Sequence, residues 1–449
     1  MVDLNSYFNK LNYFIATSDE MVGIDANYDY VNDNFSDSLK RNRTNITYYD
    51  IVKENHYFDG SLISRALISE KQVQEIKEKG GMRKYFNIPD EIKLMGDCGP
   101  SSYFTEKDPT ITIDEVLDFY EDMDLDFGIS LDHVVDMIDL TNRIKPTETH
   151  VYRRKLSTDN AIKMLELVKK RKSKVYLVGS VQGWNMDSYK QSLEELGEAG
   201  FKYCGIGGLT VNAKNNDLVT TLLSYLKPTV DKYNIKLHLL GFGRMNLLSA
   251  IHKLNIVCSM DNSTPLLNAS NAPIASYFVN ERNNFFKYGS LYIPILSKGA
   301  PTLNKKIEIK NKQNSDKIVE KIDNESKKIL LKLFEYDKLE NADYKIISNK
   351  SLLNEIITDI RHFEVMYRKC SNSDFNDMKR YIEEIKYTLM SKPWKRCDCP
   401  LCQYYGINMV VFRSQMRNKL RGIHNLKHYY EYIQNQISKK SKMNSFIER

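Results

Sequence analysis

Along the first 300 residues, short apolar runs alternate with longer segments that are apolar on one side only. Ile92–Gly96, Phe127–Leu131, Val175–Val181, Tyr203–Ile206, Leu237–Gly241 and Val257–Met260 read as strands. Ser290–Leu296 is a further candidate and Tyr13–Ala16 an early one. The intervening segments carry helical periodicity: Thr112–Tyr120, Asn160–Lys170, Met186–Ala199, Asp217–Lys232 and Met245–Lys253. Strand and helix in regular succession imply a parallel sheet with helical crossovers. Roughly seven or eight such units favour an α/β fold closed as a (β/α)8 TIM barrel over a doubly wound sheet. No GxGxxG or GxxxxGK[ST] run supports a nucleotide-binding sheet instead.

Past residue 300 the pattern changes. Ile318, Ile322, Ile329 and Leu333 recur at helical spacing. So do Leu353, Ile356, Ile360 and Phe363, and then Met378, Ile382, Ile385 and Leu389, in a Lys-, Glu- and Asn-rich background. The expected organisation is a barrel with an N-terminal extension over 1–300, a helical insertion over 301–392, and a C-terminal subdomain over 393–449.

Composition changes this picture little. With 42% hydrophobic and 27% charged residues the chain is an ordinary folded one. No run of eighteen apolar residues predicts a membrane span, and the N-terminus has neither the basic nor the apolar region of a secretory signal, so a cytoplasmic protein without membrane contact is expected. Charge is more telling. Residues 413–449 hold nine basic residues against two acids, which accounts for the whole net charge of +7 and leaves residues 1–412 balanced. Local contact with a polyanion and a merely solvated helix face are equal readings of that surplus. Leu426, Tyr429, Ile433 and Ile437 recur at helical spacing, so one face is expected to dock while Lys and Arg project outward.

Seven scattered cysteines do not form a disulfide framework. Three of them lie within Cys397-Asp398-Cys399-Pro400-Leu401-Cys402, and thiols converging from one tight turn suit a tetrahedral Zn²⁺ with His424 or His428 as fourth ligand. The site is expected to be structural. Cys98 reads as a small buried turn residue, with no cation in sequence to activate its thiol.

Where the predicted strands end, polar residues gather: Asp97, Asp132, Gln182-Gly183, Gly207-Gly208, Gly243 and Asp261. Barrel active sites sit at that end. Each residue alone reads as a turn. Together they offer three carboxylates, an amide, and glycines that let a flat ligand approach backbone. Two carboxylates at one site can run glycosyl transfer through a covalent intermediate. A third can read the N–H groups of a purine-like base.

Val181-Gln182-Gly183, then Cys204-Gly205-Ile206-Gly207-Gly208-Leu209, then the CxCxxC cluster with His424-Asn425-Leu426, resemble the tRNA-guanine transglycosylase family. Leu239-Leu240-Gly241-Phe242-Gly243, Met260-Asp261 before Pro265, and Lys287-Tyr288-Gly289-Ser290-Leu291 add to the resemblance, which covers about residues 90–298 and 393–437. It implies a TIM barrel, a structural zinc and base exchange at guanine in a polynucleotide. Carried over, Asp261 resembles the nucleophile and Asp97 the general acid/base. Asp132 resembles the residue that binds the base edge, helped by Gln182, Gly183 and the Gly207-Gly208-Leu209 backbone, with Tyr103 stacking on the base. Cys397, Cys399, Cys402 and His424 resemble the zinc ligands; His424 matches the family's ligand in being followed by Asn.

This chain departs from the family pattern in a consistent way. Asp97-Cys98-Gly99-Pro100 replaces Asp-Ser-Gly-Gly, Trp184 follows the VQG run, and Leu266-Leu267 stands where the family carries an Arg-containing stretch that engages tRNA. Catalytic acids are kept while polynucleotide contacts are rebuilt. That resembles the DNA-modifying branch of the family, which inserts a 7-deazaguanine such as preQ0. The expected partners are DNA, with tRNA as the alternative, a free 7-deazaguanine base, and possible helper proteins that open the duplex. A catalytically silent accessory subunit is the competing reading from another class, and the retention of both Asp97 and Asp261 argues against it.

Overall fold

The computed structural model describes residues 4–16, 24–25, 27–36, 47–48, 56–136, 145–209, 216–271, 276–281, 284–293, 315–339, 347–371 and 377–447. By internal contacts the chain forms two compact units, residues 1–22, 47–264 and 433–449, and residues 23–46 and 265–432.

The first unit is a closed barrel of eight parallel strands in sequence order. They are β1 (Asn12–Ala16), β2 (Gly60–Ser64), β3 (Lys93–Asp97), β4 (Phe127–Ile129), β5 (Tyr176–Val181), β6 (Tyr203–Ile206), β7 (Lys236–Leu239) and β8 (Val257–Asn262). β8 closes on β1 with Phe14 opposite Asp261. Six strands and the early Tyr13–Ala16 run follow the apolar pattern; β2 was not anticipated. Its five residues contain only two large apolar side chains. Its Gly60 lies under the Phe14 ring, so the neighbouring strand fills the space that a β2 side chain would otherwise fill.

Helix α1 (Leu4–Phe8) places Tyr7 and Phe8 against Phe127, Tyr203 and Tyr176 of the barrel interior. After β2 come α2 (Glu70–Glu78) and α3 (Met82–Phe86). The later crossovers are α4 (Ile113–Asp122), α5 (Glu148–Arg171), α6 (Met186–Ala199), α7 (Asn216–Tyr233) and α8 (Leu248–Leu254). Capping boxes at Thr112, Thr147 and Asn185 start α4, α5 and α6 by satisfying their first free N–H groups. α5 begins twelve residues ahead of the expected Asn160, since its buried face includes polar residues (His150, Arg153, Arg154 and Ser157) that an apolar pattern passes over.

In the second unit α9 (Thr264–Asn271) leads to the hairpin β9 (Tyr277–Glu281) and β10 (Asn284–Tyr288). The candidate Ser290–Leu296 is only the two-residue β11 (Leu291–Tyr292), paired with β12 (Val411–Phe412) outside the barrel sheet; residues 294–296 lie outside the described residues. Helices α10 (Ser315–Lys338), α11 (Ile347–Ser371) and α12 (Met378–Ser391) occupy the segment expected to be helical. Their predicted stripes are buried at Ile322, Ile329 and Leu333, at Leu353, Ile356, Ile360 and Phe363, and at Ile382, Ile385 and Leu389. Two short helices, α13 (Pro393–Arg396) and α14 (Pro400–Tyr405), precede the long α15 (Gln415–Ile447). No described helix is long and apolar enough to cross a membrane.

Candidate active site and metal centre

Asp97 is the last residue of β3, Asp132 follows β4, and Asp261 lies near the end of β8. The barrel thus brings to its C-terminal mouth three carboxylates that are far apart in sequence. They feel one another. Burial pushes the Asp97 carboxyl up to about 7, and the negative charges of Asp132 and Asp261 add to the effect. The backbone N–H of Gly99 donates to its Oδ2 at 3.1 Å and pulls the other way. Gly99 has a φ of 79°, a conformation glycine adopts without strain, and this turns its N–H back onto the carboxylate. Asp97 is therefore poised near neutrality, the condition for a group that gives up and takes back a proton.

Asp261 is 4% exposed. Its Oδ1 accepts from the backbone N–H of Gly241 at 2.9 Å and faces His238 Nε2 at 3.0 Å. His238 carries no signal of this contact in the sequence. It stands inside the run Lys236–Leu239, where it reads as an interruption of an apolar strand.

Asp132 is 2% exposed, and burial raises its pKa. Its Oδ2 accepts from Ser180 Oγ at 2.6 Å and Gln182 Nε2 at 2.7 Å, and its Oδ1 from the Cys98 thiol at 3.4 Å. The Gln182 amide lies so close over Gly207 that a Cβ there would stand 2.2 Å from Nε2, which is why this position suits glycine. Gly183 precedes α6, Gly208 has a φ of 75°, and Leu209 is buried with its carbonyl accepting from Arg244 at 3.2 Å. Tyr103 is buried; its hydroxyl donates to the Asp132 carbonyl at 2.9 Å and lies 3.1 Å from the Cys98 sulfur. Cys98 is also buried, and burial together with the charges of Asp132 and Asp97 pushes its thiol pKa well up, so it is an unreactive thiol that hydrogen-bonds an acid. His133 is a hydrogen-bonded rim residue, with Nε2 3.0 Å from the Glu106 carbonyl.

The second unit holds the metal-ligand candidates. The donor atoms of Cys397, Cys399, Cys402 and His424 all lie within 4.8 Å of one another. His424 Nδ1 stands 3.7, 3.4 and 3.3 Å from the three sulfurs. A tetrahedral ion with bonds of about 2.0–2.3 Å sets its ligands at about that separation. Two hydrogen bonds choose between the histidines. His424 Nε2 donates to the Phe278 carbonyl at 2.8 Å, leaving the Nδ1 lone pair for a metal. His428 Nδ1 accepts the Asn280 N–H at 3.1 Å, so its proton sits on Nε2, which points at Cys397 Sγ from 3.2 Å. His424 thus turns a free lone pair toward the three sulfurs, whereas His428 offers them an N–H. This Cys3His set can hold a metal ion.

The basic C-terminal segment departs from expectation. Arg413, Arg417, Arg421 and Lys427 are buried rather than projecting outward. Asp33 pairs with both Arg413 and Arg417, Arg421 donates to the carbonyls of Ala269, Met409 and Val411, and Lys427 pairs with Asp398 and Glu431. Four of the nine cations counted from sequence are thus committed within the fold. The side chains of Lys439, Lys440, Lys442 and Arg449 lie outside the described residues.

No family model matches the chain. It is similar to a DNA-guanine transglycosylase of Salmonella montevideo, with 28% identity over 453 residues that cover 96% of this chain and 99% of that protein.

Proposed function

We propose that this chain belongs to a DNA-guanine transglycosylase-like family and exchanges guanine in DNA for a free 7-deazaguanine base of the preQ0 type by double displacement. The observation that carries this reading is the coupled carboxylate set: Asp97 raised to about 7 by burial and by Asp132 and Asp261 at one barrel mouth. Asp132, with Gln182 and the backbone of Gly207, Gly208 and Leu209, holds the base edge. In the first displacement an oxygen of Asp261 bonds to the sugar C1′ while the C1′–N9 bond breaks. The electron pair leaves on the guanine, which takes a proton from Asp97. In the second, ionised Asp97 removes the N9 proton of the incoming base, N9 bonds to C1′, and the ester pair returns to Asp261. The target nucleotide has to leave the duplex or arrive single-stranded, at a cost of about a few kcal/mol, which helper proteins that open DNA would offset.

The test supplies radiolabelled guanine, or unlabelled preQ0 after labelled guanine has been installed, with DNA and with unmodified tRNA in parallel. The expected result is label entering DNA and preQ0 releasing it. Incorporation confined to tRNA would overturn the DNA reading.

For the metal centre we propose a structural Zn²⁺ held by Cys397, Cys399, Cys402 and His424. Three thiols and one imidazole leave no open position in a tetrahedral shell, and thiolate-rich sets select zinc. Purified protein is expected to carry about one zinc per chain, and Cys399→Ser to lose it with a fall in melting temperature. Full zinc content in that variant, measured by atomic absorption, would refute the ligand assignment.

A further inference from the structure

A line of buried polar side chains runs through the barrel interior behind Asp261. His238 is fully buried; its Nε2 lies 3.0 Å from Asp261 Oδ1 and its Nδ1 2.7 Å from Ser259 Oγ. The Ser259 and Tyr203 hydroxyls hydrogen-bond, and Tyr203 meets the Tyr7 hydroxyl at 2.9 Å. Ser259 and Tyr203 are also fully buried, and Tyr7 is nearly so. Four different elements, α1, β6, β7 and β8, contribute to one chain of hydrogen bonds that ends on a carboxylate.

The direction of that chain follows from its end. An unprotonated Nε2 would set its lone pair against the Asp261 carboxylate oxygen, so the proton belongs on Nε2. In the neutral ring Nδ1 is then an acceptor, and Ser259 donates to it. Ser259 in turn accepts from Tyr203, and Tyr203 from Tyr7. Each buried group is satisfied in this order.

We propose that His238, held in its Nε2–H form by Ser259 and Tyr203, is a positioning residue for Asp261. This rests on Asp261 being the nucleophile. Together with the Gly241 N–H it occupies Oδ1, which leaves Oδ2 as the oxygen that attacks C1′. The same two donors stabilise the carboxylate when it departs in the second displacement, so their largest effect falls on breakdown of the glycosyl-enzyme.

Two polar variants separate this role from simple space-filling. His238→Gln puts an amide N–H where Nε2 stands and keeps the bond to Asp261; His238→Asn can reach only the Ser259 side. The expected result is that His238→Gln exchanges guanine within a few-fold of wild type while His238→Asn loses roughly 10- to 100-fold, the effect of removing a hydrogen bond to a charged group. The fraction of His238→Asn enzyme trapped as covalent DNA adduct should stay level or rise, because breakdown slows more than formation. A packing defect would lower adduct and exchange together, and thermal melts report whether each variant is folded. If His238→Asn matches or exceeds His238→Gln in exchange, the inference is overturned while the nucleophile assignment stands. An adduct that persists in Asp261→Asn overturns both.

Discussion

Asp261→Asn is expected to abolish the covalent polynucleotide adduct and to lower guanine exchange by on the order of 10³-fold or more. The substitution is nearly isosteric. The amide oxygen can still accept from Gly241 and His238, as the Asp261 Oδ1 does now. What disappears is the charged oxygen that the proposed mechanism bonds to C1′. The protein should therefore fold and keep its affinity for DNA while the chemistry stops, which trapping and gel analysis of denatured enzyme–DNA mixtures would read directly. A surviving adduct would assign the nucleophile elsewhere. The variant carries a second signature. One of the negative charges that raise Asp97 is gone, so the Asp97 carboxyl should titrate below its wild-type value of about 7.

Asp97→Asn is expected to inactivate exchange and, at pH 8, to stabilise the protein. An acid at the barrel mouth carries a raised pKa because its charged form is disfavoured by burial and by Asp132 and Asp261. The native state therefore keeps a proton between about pH 4 and 7 that the unfolded chain releases. Stability from this group is present at low pH and is lost as pH rises through that window. The shift corresponds to at most about 4 kcal/mol, and partial contact with solvent reduces it to about 2 kcal/mol. Asn removes the penalty above pH 7 and changes little near pH 4. Melting curves at pH 5 and pH 8 test the sign: the gain over wild type should be larger at pH 8. Equal or reversed differences would show that Asp97 is not held near neutrality. In the proposed mechanism this strain is what makes the group useful, since a carboxyl near pH 7 can both protonate a departing base and deprotonate an arriving one.

Much of the site was legible because barrel strands are short apolar runs and their ends are abrupt. Asp97, Asp132, Gln182 and Asp261 each break such a run, and the structure brings their side chains to the same mouth. The CxCxxC spacing likewise marks a cluster of thiols able to converge on a metal ion. His238 was not legible, since a histidine inside Lys236–Leu239 looks the same whether it faces a crossover helix or a carboxylate on the next strand. β2 was hidden for a related reason: its interior volume is supplied by Phe14 of β1, so its own sequence carries little apolar signal.

The basic segment marks the boundary between what local pattern and tertiary structure decide. The amino-acid sequence alone determined the barrel's periodicity, the carboxylates at its strand ends, the three thiols on one turn, and the presence of the whole +7 surplus in residues 413–449. These are properties of neighbouring residues, set by the two-residue and 3.6-residue periods and by ligand spacing. Only the fold decided that Arg413, Arg417 and Arg421 turn inward, because each has a partner distant in sequence: Asp33 for the first two, and the Ala269 carbonyl for the third. It also decided which ring nitrogen each histidine turns toward the thiols, the lone pair of His424 Nδ1 and the N–H of His428 Nε2, through the Phe278 carbonyl and the Asn280 N–H. A charge or a lone pair has no direction in a sequence; its direction comes from the partner that long-range packing brings to it.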